Sequence, residues 1–156
     1  MVMQSARIVV AATTAATLLL SGGCAGGGLS KEDYIEQADA ICKEADERTQ
    51  ELEQPRTPEA LDDFVERARA ISIELLDDLR ALEPPEDDQD VINRMLARIE
   101  DAIDYLPQIQ EAARQRDNEE LGRLGQELQA AASEANDIAQ EYGLKECGRT
   151  QPAPAP

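Results

Sequence analysis

The sequence predicts an all-α protein: an antiparallel, up-down-up-down four-helix bundle behind a cleavable leader. Three observations carry this expectation. Four stretches repeat apolar residues at steps of three and four, and short breaks containing Pro or capping residues separate them. No run alternates apolar and polar residues as a half-buried strand would.

The first helix is expected from Ser30, which forms a capping pattern with Asp33, to about Glu53. Its stripe is Tyr34, Ala38, Ile41, Ala45 and Leu52, interrupted by Arg48, and Gln54-Pro55-Arg56 breaks it. Thr57-Pro58-Glu59 starts the second helix with a hydroxyl cap, a Pro at the first helical position and an acid favoured by the helix dipole. Leu61, Phe64, Val65, Ala68, Ile71, Leu75, Leu76, Leu79 and Leu82 form its apolar side, and Pro84-Pro85 ends it.

The third helix starts near Asp87 or Asp88 and buries Ile92, Met95, Leu96, Ile99, Ile103 and Leu106. Pro107 lies inside this pattern, where it removes a hydrogen bond to the Ile103 carbonyl and is expected to bend the helix, which resumes to about Arg116. Asp117-Asn118-Glu119-Glu120 opens the fourth helix, with Leu121, Leu124, Leu128, Ala132, Ala135, Ile138 and Tyr142 as its stripe. Gly122 and Gly125 weaken that helix and read as points of close approach to a neighbour. Gly143 fits a left-handed helix end with Leu144 folding back as its apolar contact. The stripes are rich in Ala and Leu and poor in aromatics, so a thin core is expected.

Residues 1–23 follow the plan of a secretory signal: Arg7 is the positive charge, Ile8 to Leu20 is uncharged, and small residues follow. The uncharged run spans 13 positions, short of the ~20 apolar residues a spanning helix needs. Leu18-Leu19-Leu20-Ser21-Gly22-Gly23-Cys24 resembles the lipobox of bacterial lipoproteins, although Ser21 occupies the position where Leu is commonest. The resemblance implies a lipoprotein signal peptide cut before Cys24, with diacylglycerol on the Cys24 thiol. An ordinary signal cut nearby, leaving Cys24 as a spare thiol, is the alternative. The expected organisation is then the signal peptide over 1–23, the lipidated Cys and a flexible Gly-rich tether over 24–29, the bundle over 30–148, and a disordered Pro/Ala tail over 149–156.

Composition bounds the function. Cleavage before Cys24 leaves 133 of the 156 residues, the size of one domain, and removes one Arg and no acid, moving the formal charge from −18 to −19. That charge argues against nucleic acid, whose phosphates would be repelled, and disfavours lying flat on anionic lipid. His is absent, so neither a Ser-His-Asp nor a Cys-His arrangement can be built, and the Glu-x-x-His ligands of di-iron bundles are missing too. The Gly run at 26–28 lacks the Lys of a phosphate loop. Acids cluster at Asp62-Asp63, Asp77-Asp78, Glu86-Asp87-Asp88-Asp90 and Glu100-Asp101-Asp104, but none has the pattern of a calcium loop. They read as solvated faces. No catalytic residue, metal ligand or cofactor is assigned.

With Cys24 lipidated, Cys42 and Cys147 remain as an even pair in an exported chain, and a disulfide between them is expected. Two separate buried thiols are the alternative. Cys42 lies twelve residues past Ser30, about 18 Å along a helix, while the chain from Gly143 to Cys147 reaches only about 13 Å. Pairing therefore needs either Leu144 to Cys147 folded back along the first helix, or a first helix that overhangs the end of the fourth.

Tyr34-Ile35-x-Gln37-Ala38-Asp39-Ala40-Ile41-Cys42 near the start and Tyr142-Gly143-Leu144-x-x-Cys147-Gly148 near the end resemble an uncharacterised group of secreted lipoproteins of high-GC Gram-positive bacteria. The resemblance covers about Lys31 to Gly148. It implies an extracytoplasmic location, a helical fold and a Cys pair, and it lends no activity. The functional expectation is a lipid-anchored bundle at the extracytoplasmic face of the bacterial cell membrane. It would serve as a non-catalytic binding or scaffold module for another, unidentified envelope protein. A small-ligand or cation binder using the acidic surface and the Pro107 bend is the alternative.

Overall fold

The computed structural model describes residues 28–149. Cys24, the leader and residues 150–156 lie outside the described residues. The described residues are all-helical, with four helices among them: α1 (Lys31–Gln50), α2 (Pro58–Ala81), α3 (Gln89–Gln115) and α4 (Asn118–Tyr142). A single 3-10 turn, Glu86–Asp88, precedes α3.

The local chemistry that starts and stops these helices is the chemistry of the sequence. The Ser30, Thr57 and Asp117 side chains accept the Asp33, Ala60 and Glu120 amides at 3.1, 3.2 and 3.0 Å. Gly143 takes φ 111, with its N–H on the Gln140 carbonyl and that of Leu144 on the Ala139 carbonyl at 2.9 Å. Leu144 turns into the core and is buried. Arg116 ends α3 in the same left-handed geometry at φ 58, so Asp117 both closes α3 through its amide and caps α4 through its carboxylate.

Helix backbones pack in chain order, α1 on α2, α2 on α3 and α3 on α4. Ion pairs mark the register. Arg114 near the end of α3 meets Asp62 near the start of α2 at 3.2 Å, and Arg80 near the end of α2 meets Glu100 at 2.7 Å. Arg98 of α3 reaches Glu134 of α4 at 3.4 Å. These exposed pairs contribute at most about 1 kcal/mol each, so they report alignment more than they create stability. The start of α1, the end of α2, the start of α3 and the end of α4 share one end of the bundle, where Leu29 bonds Glu83 and Tyr142 bonds Asp88. The main core lies at that end: Tyr34, Leu79, Ile92, Met95 and Leu144 are fully buried, with Leu76, Leu96, Ile103 and Tyr142 around them.

Four expectations need correction. Helix α1 stops at Gln50, because the Leu52 amide turns onto the Thr49 carbonyl and tightens the last turn. Gly28 and Leu29 belong to the bundle and not to the tether, because the Leu29 N–H donates to the Glu83 carbonyl at 2.7 Å. The α4 face is offset: Ala131 and Ala139 are buried, whereas Ala132 and Ile138 are half-buried. Ala130, Ala131 and Ala132 are identical side chains, so the pattern had nothing with which to choose among them.

The fourth concerns Gly122 and Gly125, which approach nothing. A Cβ at either would find no atom within 4 Å, and both are exposed. Each therefore weakens α4 without serving its packing. Gly122→Ala and Gly125→Ala should each stabilise the protein by about 1 kcal/mol, read as a raised urea midpoint at unchanged slope. Loss of stability in either variant would restore a close contact at that position.

Candidate functional site

The groups with chemistry of their own gather where the two end motifs meet. Leaving α4 through Gly143, the chain crosses onto α1 with three successive backbone amides unpaired. One side chain satisfies all three. Asp39 Oδ2 accepts from Lys145 N–H at 3.0 Å, and Asp39 Oδ1 accepts from Glu146 and Cys147 N–H at 2.8 and 3.3 Å. An ionised acceptor makes such bonds stronger than neutral ones. Gly148 then packs on α4, with the Gln140 amide nitrogen donating to its carbonyl. A Cβ there would lie 2.5 Å from Gln140 Cγ and 2.8 Å from the Leu144 carbonyl oxygen, so only Gly fits this approach. Arg149 forms an ion pair with Glu146.

This run of contacts carries Cys147 along α1 from Asp39 to Cys42, one helical turn further on. The two cysteines lie at disulfide distance, with Cα atoms 5.1 Å apart and a sequence separation of 105. Of the two geometries the sequence left open, the segment from Leu144 to Cys147 folds back along α1. A covalent loop of that length is worth about 4.7 kcal/mol in the chain-entropy account.

Two tyrosines seal the same end. The Tyr34 and Tyr142 rings meet edge to face, with centroids 6.0 Å apart. Tyr142 OH donates to Asp88 Oδ2 at 2.8 Å, and Lys31 Nζ lies 4.1 Å from the Tyr142 ring centroid. Tyr34 OH is buried without a hydrogen-bond partner. Burial pushes the Tyr34 hydroxyl up to about 12. Burial, and then the bond to Asp88, raise that of Tyr142 as well.

These groups are engaged with one another in closing the chain end onto α1. Other shifted groups are exposed ion pairs: Arg48 lowers the Glu74 carboxyl, and Arg123 lowers that of Glu120. Among the described residues, no three His, Cys, Asp or Glu side chains gather to hold a metal ion. The hollow between α3 and α4, about 410 Å³, is lined by Arg94, Arg98, Glu134 and Asp137 with Ala97 and Ile138, and the one beside Pro107, about 400 Å³, by Gln108, Glu111 and Gln115 with Ala112 and Leu124. Both lie open on the helix surface and enclose no cavity of the kind that buries most of a small molecule. Helix α3 runs unbroken through the exposed Pro107.

Of the residues singled out by sequence, Cys42 and Cys147 come together, and Cys24 lies outside the described residues. Asp39, Gln140 and Gly148 were missed as site residues. Asp39 stands inside the first end motif, but its partners lie more than a hundred positions away, so local pattern could not assign its role. Comparison of the chain with family models, with curated proteins and with solved structures finds no match in any of the three.

Both tyrosines hold their protons more tightly folded than unfolded, where the ordinary value is 10.0. Their contribution is therefore complete below pH 10; that of Tyr34 is lost as the pH climbs towards about 12, and that of Tyr142 at still higher pH. In urea titrations across that range, wild type should lose stability more steeply than Tyr34→Phe. At neutral pH the same variant should match or exceed wild type, since the hydroxyl it removes is unpaired. Parallel pH profiles would contradict this assignment.

Proposed function

We propose that this is a lipid-anchored, non-catalytic helical lipoprotein at the extracytoplasmic face of the bacterial cell membrane, binding or spacing another envelope protein. The observation that carries the reading is the clasp: the Asp39 carboxylate, the two cysteines and the buried tyrosines are all engaged in closing the chain on itself. No reactive constellation is left over from that closure among the described residues. A Cys pair suits an exported chain, where thiols are not kept reduced.

The leader and Cys24 supply the location. No helix among the described residues is long and apolar enough to cross a membrane, so attachment falls to the lipid that the lipobox-like stretch would direct onto Cys24. The bundle offers a rigid body on a short tether, with a strongly acidic surface that discourages nucleic acid and anionic lipid alike. The cation-binding alternative gains nothing from the acid clusters, which do not converge into a ligand set among the described residues.

Metabolic labelling with a fatty-acid analogue tests the anchor. Wild type should take up label and sediment with membranes, while Cys24→Ala should lose the label and be released or accumulate as precursor. A wild-type protein that carries no label would end the proposal of a lipid anchor.

A further inference from the structure

The chain enters the bundle at a fixed place. The Leu29 N–H donates to the Glu83 carbonyl at 2.7 Å, and Leu29 packs against the core. Gly28 beside it takes φ +101, and a Cβ there would fall 2.3 Å from the Pro84 carbonyl oxygen. Both residues are thus seated on the turn between α2 and α3. From Cys24 to Gly28 is four residue steps, at most about 14 Å of chain. Helices α2 and α3 have 24 and 27 residues, so the bundle is about 36–40 Å long. The loop 51–57 and the α3–α4 turn at Arg116 and Asp117 stand at the other end.

Charge separates the two ways such a body can meet a membrane. Glu83, Glu86, Asp87 and Asp90 are exposed at the tethered end, and the chain as a whole carries −18. Within about 8 Å of an anionic leaflet each acid is repelled. A bundle lying flat brings its whole flank into that layer, whereas one meeting the membrane at its end brings only the turn.

We propose that the α2–α3 turn is the membrane-facing end of the anchored protein, and that its lipid partner meets this end and not the helix flanks. The opposite end then points away from the bilayer. For its place in the cell this rests on the lipid anchor proposed above, but the geometry follows from any anchor at position 24.

The test uses that independence. With Cys42 and Cys147 paired, Cys24 is the one thiol of the chain from Cys24 to Pro156, which retains every described residue. It is coupled to maleimide-headgroup lipid in phosphatidylcholine–phosphatidylglycerol vesicles carrying a headgroup acceptor dye. A donor dye is placed through a bioorthogonal side chain at Asp87 or at Arg116. Energy transfer should be several-fold stronger from position 87 than from position 116, and a flexible Gly/Ser insert of about twenty residues after Gly27 should shrink that difference. Equal transfer from both positions, or stronger transfer from 116, would overturn the orientation. A difference unchanged by the insert would overturn the role of the short tether. Absence of fatty-acid label on Cys24 in cells would remove the anchor and leave this geometry standing.

Discussion

The Asp39 carboxylate governs the closure of this fold. Helix backbones pack in chain order from α1 to α4, so the first and last helices depend on side chains and on the chain end to join them. Gly143 turns the chain out of α4, three amides emerge unpaired, and Asp39 collects all three. Only then does Cys147 arrive beside Cys42. The three amides are exposed or half-buried, so what favours the segment there is the set of bonds to a charged acceptor, which are stronger than neutral ones and need no covalent bond to form. The cysteine pair then holds a position that hydrogen bonding has already selected.

The distribution of the core explains why closure matters. Tyr34, Tyr142, Leu144, Ile92 and Met95 crowd one end, and the helices present smaller surfaces further along. In α4 the buried positions beyond Tyr142 are Ala139, Ala135 and Ala131, with Leu124 as the last large side chain. Helix α1 buries only Tyr34, Ala38 and Cys42, while Ile41 and Ala45 are half-exposed and Arg48 breaks the stripe. At about 25 cal/mol per Å² of apolar surface, such a helix gains little from burial alone. Its attachment is concentrated at the clasp, which is also the end where Leu29 brings in the chain from Cys24.

What the sequence made legible was the local chemistry. The caps at Ser30, Thr57 and Asp117, the stop at Pro84-Pro85 and the left-handed Gly143 with Leu144 folded inward act through residues a few positions apart. The cysteine pair was legible as arithmetic, and the need for a fold-back followed from helix rise. The bonds that make the fold-back happen were not. Asp39 to residues 145–147 and Gln140 to Gly148 depend on where α4 ends in space. Gly28 looked like tether by composition, yet it is seated against Pro84. Gly122 and Gly125 looked like contact points and face open space. Glycine signals backbone freedom in a sequence without revealing whether a turn, a close approach or nothing at all uses it.

The central claim is that the clasp, more than packing along its length, keeps α1 on the bundle. Native-state hydrogen exchange resolved by residue tests this most directly, comparing wild type with the Cys42→Ser, Cys147→Ser double variant. The account predicts that amides of Lys31–Gln50 lose protection in the variant, while those of α3 and α4 retain most of theirs. Undiminished protection across α1 in the variant would contradict it.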